Sequence, residues 1–500
     1  MKNQLDAIRF RKQRMSQWTG DALRKGLKTT ITLCMILLIS SCAKQAPKSP
    51  YNVLLICVDD LRPELNSYGV DYIKSPHIDQ LAKSGVLFQN HYVNSPSCGP
   101  SRYTLLTGLY GQPTNRAIFQ RADSIAAGAN VPPSMPEWFR QAGYTTVSIG
   151  KVSHHPGGWG GEDWDDQSIV EMPNAWDRRL MPAGTWKHPR GAMHGLANGE
   201  IRENPSEMDV FQSEEGGDEI YPDGLIADEA VSQIQQLSND ESKPFFMAVG
   251  IIKPHLPFGA PKSYYDLYEG VELPAVTNPE KPNWKSTWFP SGEFMRYNHW
   301  GKNPNEDSLF SLEIRRHYAA CVSYADAQVG KVLAELKQSG LDKNTIVVLW
   351  GDHGWNLGEH AIWGKHNLFE EALRSPLIIA APGVSQSISS SIVESVDIFP
   401  TLCDLTGLSM PEFSHGESLI SNSQSNTASV QVSFSYSPSA ATLRTASHRF
   451  IQHKSGEVEL FDHTSPEKEG RNIADDFPEL VAQLAQQLDD KQKLRLSQKW

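Results

Sequence analysis

A chain of 500 residues, 39% hydrophobic and 21% charged, has the composition of a soluble globular protein with room for one large core and a smaller satellite. That balance excludes a polytopic membrane protein, a coiled coil and a disordered tail. The formal charge of −12 is unevenly spread: Met1–Ser41 carries eight Lys/Arg against two Asp/Glu, so the remainder is strongly acidic and poorly suited to wrapping nucleic acid.

The basic start ends at Lys28, and the apolar run Ile31–Ile39 follows. It is too short to span a bilayer and has the length of a signal-peptide core. Ile39-Ser40-Ser41-Cys42 resembles a bacterial lipobox, so residues 1–41 are expected to be a lipoprotein signal. Cys42 would then be the lipidated anchor to a membrane, in the periplasm or at the cell surface; a plain secretory signal is the alternative. Residues 42–50 read as a polar linker. Of six cysteines, Cys34 leaves with the signal, while Cys57, Cys321 and Cys403 sit in apolar patterns as small core residues, at no disulfide-framework spacing.

From residue 51 onward, short continuous apolar runs alternate with helical patterns. Strands are expected at 52–58, 144–149, 245–249, 345–350 and 377–380, and helices at 134–142, 226–237, 319–339 and 396–405. Runs apolar on both faces indicate a buried parallel sheet, and the alternation indicates a doubly wound α/β fold. Charged pairs stand just past four of the strands: Asp59-Asp60, Lys151 with His154, Lys253 with His255, and Asp352-His353. Open α/β sheets bind ligands at that edge. Residues 157–224 read as long loops carrying Trp159, Trp164, Trp176 and Trp186, which either stack on sugar rings or pack the loop itself. After about residue 421 the pattern changes to short alternating segments at 430–436, 449–454 and 457–462, then a helix at 478–490. The catalytic domain is therefore placed at 51–421 and a small antiparallel-sheet subdomain at 422–500.

Ser97-Cys98-Gly99-Pro100-Ser101-Arg102 leads into a helical run through Leu105, Leu106 and Leu109. Proline favours a first helical turn, which puts Cys98 at a helix N-terminus where backbone N–H groups favour an anion, with Arg102 one turn on. The spacing C-x3-R departs from the C-x5-R loop of cysteine phosphatases.

C-x-P-S-R is the maturation signature of the type I sulfatases, and the chain resembles that family, in its iduronate-2-sulfatase-like branch, over most of residues 51–470. Shared marks are Leu106-Thr107-Gly108, Asp59-Asp60-Leu61-Arg62-Pro63, Gly150–His154, Lys253–Phe258, Asp352–Trp355 with Gly358-Glu359-His360, Val396–Leu402, and Glu459–Asp462 with Asn472. The resemblance implies an alkaline-phosphatase-like fold, with a large, mixed, mostly parallel sheet flanked by helices. It implies that a maturase partner oxidises Cys98 to Cα-formylglycine, whose hydrate is the nucleophile. By the same resemblance Asp59, Asp60, Asp352, His353 and residue 98 hold one calcium ion, a hard cation suited to oxygen ligands. Arg102 and Lys151 would hold the hydrate, and Lys365 would bind a sulfate oxygen, with Lys253 as a further substrate contact. His255 would be the general acid and His154 the base that releases sulfate. His360 and His366 fall nearby as further pocket candidates. The implied substrate is a sulfated carbohydrate, uronate-containing. A phosphatase or phosphonate hydrolase of the same fold, and a non-catalytic glycan-binding lipoprotein, are the competing readings.

Overall fold

The central strand is the most apolar stretch of the domain. In the computed structural model, which describes residues 50–155, 170–240, 242–419 and 432–497, Asn52–Val58 (β1) is buried throughout. Alternate residues of a strand face opposite ways. Leu54, Ile56 and Val58 accordingly join one core while Val53, Leu55 and Cys57 join the other. The expected signal, Cys42, most of the linker, Trp159 and Trp164 lie outside the described residues.

Seven further strands complete the sheet: β2 (Val86–Tyr92), β3 (Thr145–Gly150), β4 (Arg178–Leu180), β5 (Phe245–Ile251), β6 (Thr345–Gly351), β7 (Leu377–Ala380) and β8 (Ser387–Glu394). Their order is β8-β2-β7-β6-β1-β5-β3-β4. Every neighbouring pair is parallel except the two made by β7. The sheet is thus the mixed, mostly parallel one expected. Strands β2 and β8 escape a reading by apolar runs because polar residues interrupt them: Gln89-Asn90 in β2, and four serines in β8, whose first half is exposed.

Helices cover both faces. One carries α1 (Cys98–Thr107), α2 (Met135–Gln141) and, later in the chain, Ile398–Thr406; the other carries α3 (Pro222–Ser238) and α4 (Ser308–Gln338). Helix α4 begins eleven residues before the expected Ala319. Asp307 caps it, accepting from the N–H groups of Leu309 and Phe310 at 3.1 and 3.0 Å, and the charged stretch Glu313–His317 hides its periodicity. Cys321 sits in the α4-side core, and Cys57 and Cys403 in the opposite one, as small apolar residues.

Gly250 in β5 has a steric role. A Cβ there would lie 2.0 Å from the carbonyl carbon of Lys151, so only glycine lets the turn after β3 settle against β5.

The chain closes with an antiparallel sheet of β9 (Ser433–Tyr436), β10 (Ala440–Arg444), β11 (His448–His453) and β12 (Val458–Asp462). The terminal helix Pro478–Leu496 packs Leu484 and Leu488 onto it. Strand β10, Ala-Ala-Thr-Leu-Arg, has too weak an alternation to read beforehand. Tyr51–Trp500 forms one compact unit, and no helix among the described residues is long and apolar enough to cross a membrane.

Candidate active site

Strands β1, β3, β5 and β6 run parallel, so their C-terminal ends share one rim of the sheet. There they deliver Asp59-Asp60, Lys151, Lys253–His255 and Asp352-His353. Helix α1 starts at Cys98 against this rim. The Cys98 sulfur lies 3.3 Å from His353 Nε2, 3.4 Å from Lys365 Nζ, 3.5 Å from Asp59 Oδ1 and 3.9 Å from Lys151 Nζ. Lys365 arrives from the short ribbon Asn356–Leu357/Trp363–Gly364.

Arg102, one turn into α1 and fully buried, ties the cluster together. Its Nε donates to Asp352 Oδ2 at 3.0 Å, Nη2 forms ion pairs with Asp352 at 2.9 Å and Asp59 at 3.5 Å, and Nη1 donates to the carbonyls of Lys151 and Val152. Lys151 pairs with Asp59, and Lys365 with Asp60 at 2.8 Å. Asp60 holds a left-handed backbone (φ 57°) at a cost on the order of 1 kcal/mol. Tyr318 donates to its carbonyl at 2.8 Å, and its own N–H donates to Asp352 Oδ1 at 3.0 Å.

The donor chemistry fits a bound cation. Asp59, Cys98, Asp352 and His353 bring ligand atoms within 4.8 Å of one another, all buried. The second oxygen of Asp60 is buried and accepts no hydrogen bond. Burial and the neighbouring carboxylates hold Asp60 well above the usual carboxylate range, and push Asp352 up to about 7. Asp59, although buried, is held well below by Lys151, His255 and Arg102. Burial and Lys365 keep the His353 imidazole neutral, the form that binds metal. Burial and Asp59 likewise push the Cys98 thiol well above its ordinary value.

The two histidines differ in their surroundings. His255 Nδ1 meets the Leu256 carbonyl at 2.6 Å, leaving Nε2 facing the pocket. The turn that carries it is held by Asp223 on α3, which accepts from the N–H groups of Ile252 and Lys253 at 2.6 and 2.9 Å. His154 has a buried Nδ1 without a partner. Burial, reinforced by Lys151, holds both histidines well below their ordinary value.

Lys253 stands apart from its expected role, because its ammonium donates to the carbonyls of His255 and Pro257 at 3.3 and 2.5 Å and so braces its own turn. His366 reaches the pocket rim, while His360 stacks on Phe369, ring centroids 4.1 Å apart. Trp186 is buried with Nε1 donating to the Leu196 carbonyl, and Trp176 packs on Phe246, so both serve loop packing. Sequence reading missed Glu293, 3.6 Å from both His255 and Lys365, and His194, whose ring lies 5.4 Å from that of His255. Both come from irregular segments that follow no strand, and no local pattern singles them out.

A doubly wound sheet gathering carboxylates, cations and a cysteine in a helix's first turn at one rim defines a hydrolase that takes an anionic ester. Comparison with known proteins makes the assignment specific. The sulfatase family's sequence profile matches residues 51–408, and that of the N-sulphoglucosamine sulphohydrolase C-terminal region matches 358–494. Human iduronate 2-sulfatase is 33% identical over 402 residues, 72% of this chain and 70% of that protein. A sulfatase of Formosa agariphila is 31% identical over 469 residues, 89% and 87% of the two chains. Among solved structures, a protein in complex with its substrate D-glucosamine-2-N,6-O-disulfate superposes with a TM-score of 0.67 at 21% identity, covering 90% of this chain and 99% of that one. The chain belongs to the sulfatase family, in its iduronate-2-sulfatase-like branch, and is a sulfuric ester hydrolase of alkaline-phosphatase-like fold.

Proposed function

We propose that this chain hydrolyses sulfate esters of a carbohydrate, a uronate-containing sulfated polysaccharide or its oligosaccharides, with residue 98 as nucleophile after conversion to Cα-formylglycine by a maturase. The observation that carries the reading is the seat of Cys98, at a helix N-terminus and within 3.5 Å of Asp59, His353 and Lys365. The substrate class is supported by the disulfated glucosamine bound to the structural neighbour and by the similarity to iduronate 2-sulfatase.

Asp59, Asp60, Asp352, His353 and residue 98 would hold a divalent cation, calcium by family, which supplies Lewis acidity toward the sulfate oxygens. The formylglycine hydrate supplies a hydroxyl for attack on sulfur. Lys365 binds a sulfate oxygen, and Lys151 with Arg102 balances the carboxylates around residue 98. His255, its Nδ1–H held on the Leu256 carbonyl, presents Nε2 to the leaving oxygen and gives it a proton from the imidazolium form, which Asp59 and Glu293 favour against burial. His154, with its free Nδ1, takes the proton whose loss lets the aldehyde re-form and sulfate depart.

Mass spectrometry of the tryptic peptide Ser84–Arg102 from protein made in its native host tests the nucleophile, alongside sulfate release from defined sulfated oligosaccharides. An unmodified thiol with undiminished turnover refutes it. Paired sulfate and phosphate esters of one aryl alcohol test the reaction class, which requires the sulfate ester to react faster. We further infer from the lipobox-like sequence that Cys42 anchors the exported protein to a membrane. Cys42→Ala should then move it from the membrane to the soluble fraction.

A further inference from the structure

Glu293 is a pocket carboxylate outside the proposed ligand set. It lies in the irregular stretch before α4, 23% exposed, with Oε1 3.6 Å from His255 Nε2 and Oε2 3.6 Å from Lys365 Nζ and 3.3 Å from His366 Nε2. Oε2 is buried yet accepts no hydrogen bond. Lys365 is already engaged by Asp60 at 2.8 Å, so Glu293 is not needed to neutralise it. Against the effect of burial, Lys365, His366 and His255 keep the Glu293 carboxyl well below its usual range, so it is ionised and can only accept.

Its position fixes what it meets. On the proposed reading, Lys365 takes a sulfate oxygen and His255 faces the leaving oxygen. A carboxylate 3.6 Å from both therefore stands beside the C–O–S linkage, and the first substrate groups in reach are those on carbons next to the ester. An acceptor-only group there calls for a donor. The surrounding rim is cationic, with Lys365 beside it and Arg202 stacked 4.6 Å from the Tyr297 ring and 3.4 Å from His194. That disfavours an ammonium and leaves a neutral hydroxyl as the donor.

We propose that Glu293 is a specificity residue that accepts a hydrogen bond from a free hydroxyl on the carbon adjacent to the sulfated one. The enzyme would thus act on sugar esters with an unsubstituted vicinal hydroxyl, and a uronate carboxylate would point away from Glu293. This inference rests on the sulfatase reading of the site, and the experiment separates the two.

The test compares matured holoenzyme with Glu293→Ala and Glu293→Gln on three substrates: an aryl sulfate, the sugar monosulfate that wild type turns over best, and its vicinal deoxy analogue. Wild type should prefer the hydroxylated sugar to the deoxy analogue by about 10- to 100-fold in kcat/KM, the worth of a charge-assisted hydrogen bond. Glu293→Ala should bring that ratio close to one, and Glu293→Gln, which keeps an acceptor without the charge, should fall between. An unchanged ratio in Glu293→Ala, with aryl sulfate turnover showing a competent site, overturns the assignment. So does a wild type that cleaves the aryl ester and no sugar ester. Failure of wild type on all three esters instead defeats the sulfatase reading, and this inference with it.

Discussion

Two clusters of charge among the described residues differ in a way that separates a site from a strut. At the junction between the large sheet and the C-terminal sheet, every carboxylate oxygen of Glu370 and Glu469 has a donor. Glu370 accepts from Tyr92 at 2.8 Å, Arg449 at 2.6 Å and Arg444 at 3.3 Å; Glu469 accepts from Arg449 at 2.6 Å, from the Glu370 N–H at 2.8 Å, and lies 3.2 Å from His463. At the strand-end rim, an Asp60 oxygen is left bare, Asp352 is held near neutrality and one residue takes a strained backbone. A network whose carboxylates are all met stabilises and fixes geometry. An incomplete one keeps its donor atoms available for a ligand.

Residue 98 offers the strongest test of that contrast. Cys98→Ala should cut sulfate release at least about 10³-fold while leaving the melting transition intact, since nucleophile loss removes the whole covalent route. Retained turnover would place the chemistry elsewhere. Next comes the bare oxygen. Chelation should abolish activity, and calcium at a hundredfold excess over its dissociation constant should restore it and stabilise the fold by about 3 kcal/mol, visible as a rise in Tm. Asp60→Asn should shrink that rise.

The junction should respond in the opposite currency. Arg449→Met takes the guanidinium from buried Glu469 and partly buried Glu370 and should cost about 3–5 kcal/mol in denaturant unfolding, with kcat per folded molecule retained. A loss under about 1 kcal/mol would mean the network is ornamental. The smallest effect is in pH. Although Glu469 is buried, Arg449 and His463 hold its carboxyl down to about 2, below its unfolded value. A depressed carboxylate contributes stability above the unfolded value and loses it as pH falls through the folded one, so this share of stability should fade between about pH 4.5 and 2. Unfolding curves in that window should be flatter for Arg449→Met than for wild type.

Much of the rim was legible because the fold writes it at fixed places. Asp59, Lys151, His255 and Asp352 each follow a run of apolar residues that can only be a buried strand, and parallel strands end together. Cys98 was legible through Pro100, which marks a first helical turn. Glu293 and the oxygen-by-oxygen accounting at Glu370 and Glu469 were not. Glu293 meets His255 and Lys365 from 38 and 72 positions away in the chain, and Glu370 meets Arg449 and Glu469 from 79 and 99, through segments whose course is set by tertiary packing. Lys253 shows the converse: it ends a strand like the others, yet its side chain turns back on its own loop, a choice of rotamer that spacing does not encode. The polar strands β2 and β8 and the feeble alternation of β10 escaped for the same reason, since they rely on neighbours more than on their own pattern.

The bare Cα of Gly250 carries a last implication. Even a methyl group there would shove the Lys151 turn outward, and with it the two carbonyls that anchor Arg102, which in turn spans Asp59 and Asp352. A conservative swap in the middle of a hidden strand should thus silence the enzyme while every recognised catalytic side chain is still present, a class of loss-of-function variant that a survey confined to the pocket would miss.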